Sequence, residues 1–117
     1  MSHAAAIDRE HAIQTGLIDA LCQAAEQGET ARAGEILAQL VAYSSAHFLS
    51  EELLMRLASY ADYEDHVADH IRMMDELNGL LALRGPEASR DIPDKARAVR
   101  EFLVRHIETR DARFLQG

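Results

Sequence analysis

The chain has 117 residues, 48% of them apolar and only 5% aromatic, which suffices for one hydrophobic core but not two, so a single domain over 1–117 is expected. A formal charge of −8 repels phosphate backbones and anionic lipid and argues against nucleic-acid or membrane partners. No apolar run approaches the roughly 18 residues of a membrane span, and the N-terminus lacks the regions of a signal peptide, so a cytoplasmic location is expected.

Ala and Leu outnumber the β-branched residues, which favours an all-α fold. Helix A is expected over about 7–27: Ile7, His11, Gln14, Ile18, Leu21 and Ala25 share one stripe, and Asp8 and Glu10 lie at its start. His3 falls outside this stripe and reads as a tag-like residue. Cys22 sits at an apolar phase and reads as a small core residue. Gly28 stops helix A and Thr30 is a candidate cap for helix B, about 30–58, with the stripe Ala33, Leu37, Leu40, Ser44, His47, Glu51, Leu54 and Ala58. Asp62 can cap helix C, about 62–84, in which Tyr63, His66, His70, Met73 or Met74, Leu77 and Leu81 share a face. Gly85 and Pro86 are expected to end it, leaving Gly85 to Asp91 as the longest connection. Asp91 and Pro93 then suit the start of helix D, about 92–115. Short connections make successive helices antiparallel, an up-down-up-down four-helix bundle. Arg97, Arg100, Arg105, Arg110 and Arg113 on helix D read as a solvated face pairing with the many carboxylates.

That topology gathers the polar residues of the stripes. His11 is near the start of A, His47 and Glu51 near the end of B, His66 and His70 near the start of C, and His106 and Asp111 near the end of D. All seven therefore fall at one end of the bundle, within about two turns of each other at 1.5 Å rise per residue. His47 and Glu51 are spaced i, i+4, as are His66 and His70, so each pair projects from one helix face at metal-ligand spacing. One HxxxH arises by chance in many helices. Five imidazoles and two carboxylates converging in one core need compensating charge, and metal cations supply it.

His106 and Asp111 are five residues apart, about 500° on a regular helix, so their side chains would diverge by about 140°. The apolar phase of helix D slips at the same place, resuming at Asp111 and Phe114 after the polar Thr109 and Arg110. A π-bulge, which absorbs one residue through an i→i+5 hydrogen bond, is expected between them.

The segments Ile7-Asp8-Arg9-Glu10-His11, His47-Phe48-Leu49-Ser50-Glu51, His66-Val67-Ala68-Asp69-His70 and His106-Ile107-Glu108-Thr109-Arg110-Asp111 resemble the hemerythrin family in identity, order and spacing. The resemblance spans nearly the whole chain. It implies two irons in an oxo- or hydroxo-bridged centre, His66, His70 and His106 on one, His11 and His47 on the other, with Glu51 and Asp111 bridging. The second iron then keeps a position open for dioxygen, which the family reduces as it binds and releases when the electrons return. Histidine-rich donors also select a transition ion over calcium or magnesium in their own right, though zinc fits the nitrogens too.

An apolar oxygen pocket is expected from Phe48, Phe102, Leu103, Ile107 and Phe114. Gln14 departs from the family, which usually places an apolar residue three positions after the helix A histidine. Its amide either meets the ligand or points to a neighbouring helix terminus. The functions implied are a reversible dioxygen carrier or store, an oxygen or redox sensor acting on a fused or separate signalling partner, or a peroxidase or oxidase, with a structural zinc bundle ranked last. No catalytic residue is assigned.

Overall fold

The computed structural model describes residues 2–83 and 85–116, with the side chains of 5–83 and 90–115. Its helices are α1 (Ser2–Glu26), α2 (Thr30–Leu57), α3 (Tyr63–Leu81) and α4 (Gly85–His106), the last continuing through a π-helical turn (Ile107–Asp111) into α5 (Ala112–Gln116). They form an antiparallel four-helix bundle of 46 × 23 × 20 Å, in which α1 packs on α2 and α4, and α3 packs on the same two. Among the described residues no helix is long and apolar enough to cross a membrane.

Helix ends follow local chemistry. After α1, Gly28 takes φ +74°, Glu29 N–H reaches Ala24 O at 2.9 Å and Gly28 N–H reaches Ala25 O at 3.2 Å. This is a Schellman closure, and the left-handed residue in it favours glycine. The same closure ends α2, where Tyr60 N–H reaches Met55 O at 3.0 Å, but the left-handed position is Ser59 at φ 51°. A non-glycine residue there carries backbone strain of about 1 kcal/mol.

Several expected boundaries are corrected. Helix α1 begins at Ser2, because Ala4, Ala5 and Ala6 are strong helix formers, so His3 is helical rather than part of a tail. The cap position of α2 is Glu29, not Thr30, and Asp62 occupies the cap position of α3 without a side-chain cap bond. Helix α3 stops at Leu81 with Ala82 as its cap. Gly85 to Asp91 is therefore no connection. It is the start of α4, where Pro86 meets the first-turn tolerance for proline, and Pro93 lies inside the helix. Asp91, expected as a cap, lies inside α4 beside Arg90 at 3.3 Å.

The middle of the bundle is an apolar core that includes Ile18, Leu21, Leu37, Leu40, Met73 and Leu77. Burying each large side chain contributes about 1.5–3 kcal/mol, which offsets the desolvation of polar groups beyond it. Cys22 belongs to this core, and burial pushes its thiol pKa up, as an inert packing residue requires. The polar groups collect at one end.

Candidate metal centre

Each helix delivers its donors on its inward stripe: His11 from α1, His47 and Glu51 from α2, His66 and His70 from α3, and His106 from α4. All are at most 6% exposed, as is Asp111. Asp111 joins them because the π turn re-phases the chain. Ala112 N–H reaches back to Ile107 O, the expected i→i+5 bond, and Asp111 Oδ1 comes within 3.1 Å of His106 Nε2.

The seven residues form two groups that could each hold a metal ion, Glu51, His66, His70, His106 and Asp111 in one, His11, His47, Glu51 and Asp111 in the other, with donor atoms in each group within 4.8 Å of one another. The shared carboxylates divide their oxygens between the groups. Glu51 Oε1 lies 3.0 Å from His66 Nε2 and 3.1 Å from His70 Nε2, while Oε2 lies 3.5 Å from His11 Nε2 and 3.6 Å from His47 Nε2. Asp111 Oδ1 faces His66 Nε2 at 2.5 Å, and Oδ2 faces His11 Nε2 at 2.9 Å.

Three further carboxylates hold the outer ring nitrogens. Glu10 of α1 lies 2.6 Å from His47 Nδ1, Glu52 of α2 lies 2.7 Å from His70 Nδ1, and Asp69 of α3 lies 3.1 Å from His106 Nδ1. With Nδ1–H donating outward, a neutral ring presents the Nε2 lone pair inward, the tautomer a metal ligand needs. Each acid sits one residue from a donor on its own helix and reaches the histidine of the next helix in the chain. Sequence reasoning missed all three. The available signal was a carboxylate about 100° off each ligand stripe, flanking a neighbouring helix.

Electrostatics match a cation site. Burial alone lowers the pKa of His11, but Asp111 and Glu51 outweigh it and raise it to about 9; His66 behaves the same way for the same reasons. Burial pushes Glu51 up, but the facing imidazoles of His11, His66 and His70 bring it down to about 2. Asp111 is likewise drawn well below the carboxylate range, against burial, by His106, His11 and His66. Two anionic carboxylates are thus balanced by protons on imidazoles, and metal ions at the same centre would replace those protons. Five buried polar atoms lack hydrogen-bond partners among the described residues: His11 Nε2, His47 Nε2, Glu51 Oε2, Asp111 Oδ2 and Gln14 Oε1. The first four are all donors of the two-histidine group. Close without hydrogen-bond alignment, they converge as ligands do.

The expected oxygen pocket is only partly assembled around these donors. Phe48 is buried and stacks on His70, with centroids 4.1 Å apart and planes at 12°. Leu103 is buried, and Ile107 packs against the apolar core. Phe102 is half-buried and carries the Arg72 guanidinium 4.6 Å above its ring, so that face looks toward the surface. Phe114 packs edge-on against Tyr60 at 4.9 Å, at the cap of the bundle. Gln14 is fully buried and donates from Nε2 to Ser44 Oγ at 2.9 Å, so its amide meets the neighbouring helix α2 in mid-course rather than at a terminus.

An antiparallel four-helix bundle with seven buried imidazole and carboxylate donors at one end defines a helical metal-binding protein. Residues 2–116 match the hemerythrin HHE cation binding domain, and the chain belongs to the hemerythrin family. Bacteriohemerythrin of Methylococcus capsulatus is 33% identical over 105 residues, which cover 86% of this chain and 76% of that relative. No solved structure matches the chain.

Proposed function

We propose that the chain binds two irons and uses them to bind dioxygen reversibly, as a carrier or store. His66, His70 and His106 hold one iron, His11 and His47 the other, and Glu51 and Asp111 join them. The observation that carries this reading is the division of oxygens: each carboxylate turns one oxygen to the three-histidine group and the other to the two-histidine group. The second group has one protein donor fewer, which leaves room for a small exogenous ligand. Membership of the family and likeness to a bacteriohemerythrin support the choice of iron and dioxygen.

The iron pair, when bound, supplies the electrons for reversible dioxygen binding. The protein's own groups set the conditions. Glu10, Glu52 and Asp69 fix the tautomer and orientation of three ligands, and Phe48 shields the face of His70 from water. Gln14 lies one turn beyond His11 on the same buried stripe, and its unpartnered Oε1 can accept a proton-bearing group. That acceptor can hold a water beside the site, which favours a second reading, a diiron oxidase or peroxidase, because a water's protons promote loss of reduced oxygen.

An optical spectrum of the anaerobically reduced protein, taken before air, after air and after oxygen removal, separates the two. A charge-transfer band that appears with oxygen and vanishes on its removal is expected for the carrier. Irreversible conversion to the ferric form on first exposure would overturn it in favour of the oxidase.

A further inference from the structure

Of the six arginines from α4 through α5, five meet carboxylates, Arg90 with Asp91 among them. Arg97 pairs with Glu26 and Asp94, Arg100 with Asp19, Arg110 with Asp69 at 2.5 Å, and Arg113 with Asp62 at 3.6 Å. Arg105 is the exception. Neither it nor Arg72 on α3 has a carboxylate within ion-pair distance among the described residues. Both line one cleft of about 340 Å³ between α3 and α4, together with Arg110, Thr109, Phe102 and the edge of His106. Asp69 is the single acid lining it, so three guanidiniums and one carboxylate give a local formal charge of +2 in a chain of net charge −8.

Like charges gathered in a cleft repel one another unless an anion joins them. Arg72 is fixed in place by the Phe102 ring beneath it, which orients its donors without using them. Arg110 spends its Nε on Asp69 and keeps its terminal nitrogens. Planar guanidinium forks match oxyanions bidentately, and a dianion, unlike a single carboxylate, matches the local charge.

We propose that this cleft is a binding site for a dianionic oxyanion of the phosphate class, free or as a small phosphomonoester. Its occupancy reaches the metal centre through Asp69, whose Oδ2 takes both Arg110 Nε and His106 Nδ1. An anion that draws Arg110 away leaves Asp69 to His106 alone and strengthens that hydrogen bond. This coupling, unlike the binding itself, rests on the reading of His106 as an iron ligand.

Calorimetric titration of the iron-loaded protein with inorganic phosphate, and separately with phenyl phosphate, at low ionic strength tests the site. Binding should weaken by roughly tenfold or more in an Arg72→Gln, Arg105→Gln double variant, as expected when hydrogen bonds to charged groups are lost. An Arg97→Gln, Arg100→Gln control, exposed and paired elsewhere, should bind like the parent, and equal iron content in all three confirms intact folding. Tighter binding of phenyl phosphate identifies an organic phosphomonoester; equal affinity identifies the free ion. No binding, or binding that the double variant retains in full, as for phosphate entering the iron pair directly, overturns the site. The coupling is read in the same samples: phosphate should shift the iron charge-transfer band in the parent and not in the double variant. Binding without any band shift would leave the cleft and refute the link through Asp69.

Discussion

The two halves of the donor cluster are built from the same two carboxylates yet differ in how completely the protein satisfies them. In the three-histidine half, His66 Nε2 meets both Glu51 and Asp111. In the two-histidine half, the buried Nε2 atoms of His11 and His47 and the facing carboxylate oxygens have no hydrogen-bond partners among the described residues. The two-histidine half also offers one protein donor fewer, four against five, which is the room the proposed dioxygen ligand needs. Catalytic and ligand-binding metals keep a position free in this way, whereas structural metals do not.

The strongest way to break this comparison is to remove the group both halves share. Glu51→Ala should reduce iron from about two per chain to below one, measured by metal analysis of purified protein. Glu52→Ala should cost less but not nothing, because Glu52 holds His70 Nδ1; loss of such a partner typically weakens metal binding by about 10- to 100-fold. Equal losses from both changes would contradict the bridging role of Glu51. A narrower cut, His11→Ala, removes a donor from the open half alone and should leave about one iron per chain, held by the three histidines.

Protonation sharpens the comparison from another side. His11 and His66, one in each half, have pKa values raised to about 9 in the metal-free protein. A raised folded-state pKa contributes stability that is fully present below about 6.5 and is lost as pH rises through 9. The metal-free protein should therefore melt at lower temperature at pH 9 than at pH 6.5. Metal uptake has the opposite trend, since ions must displace those protons, and apparent affinity should rise between pH 6.5 and 9 by up to tenfold per unit for each proton released. A chelator competition series across that range measures it, and a flat profile would contradict protonated His11 and His66.

Much of this centre is legible in the sequence because helix periodicity converts spacing into direction. HxxxE and HxxxH name their own faces, and the five-residue step from His106 to Asp111 is inconsistent with a regular helix, which is why the π turn can be anticipated. The outer carboxylates are not legible in the same way. Glu10, Glu52 and Asp69 lie off the stripes, and only the relative rotation of neighbouring helices brings each to the next helix's histidine. The start of α4 is also obscured, since Gly85-Pro86 suits the end of one helix as well as the first turn of the next. Phe102 and Phe114 share helical phase with the core, and their half-buried rings also meet Arg72 and Tyr60, contacts that periodicity does not announce.

Smaller effects probe the surroundings of the open half. Gln14→Leu removes the buried amide beside His11 and its bond to Ser44, and should change the autoxidation rate of the oxygenated protein while iron content stays the same. An unchanged rate would assign Gln14 to packing alone. Ser59→Gly relieves the left-handed residue that closes α2 and should raise stability by about 0.5–1 kcal/mol in denaturant unfolding, with no change in iron.

The most direct test is a crystal structure of the iron-loaded protein with anomalous data collected at the iron edge. Two anomalous peaks are expected, with imidazole nitrogens at about 2.0–2.2 Å, Glu51 and Asp111 each touching both ions, and a non-protein position open on the ion held by His11 and His47. A single peak, or two peaks with His11 or His47 turned away from the metal, would contradict the paired and asymmetric centre.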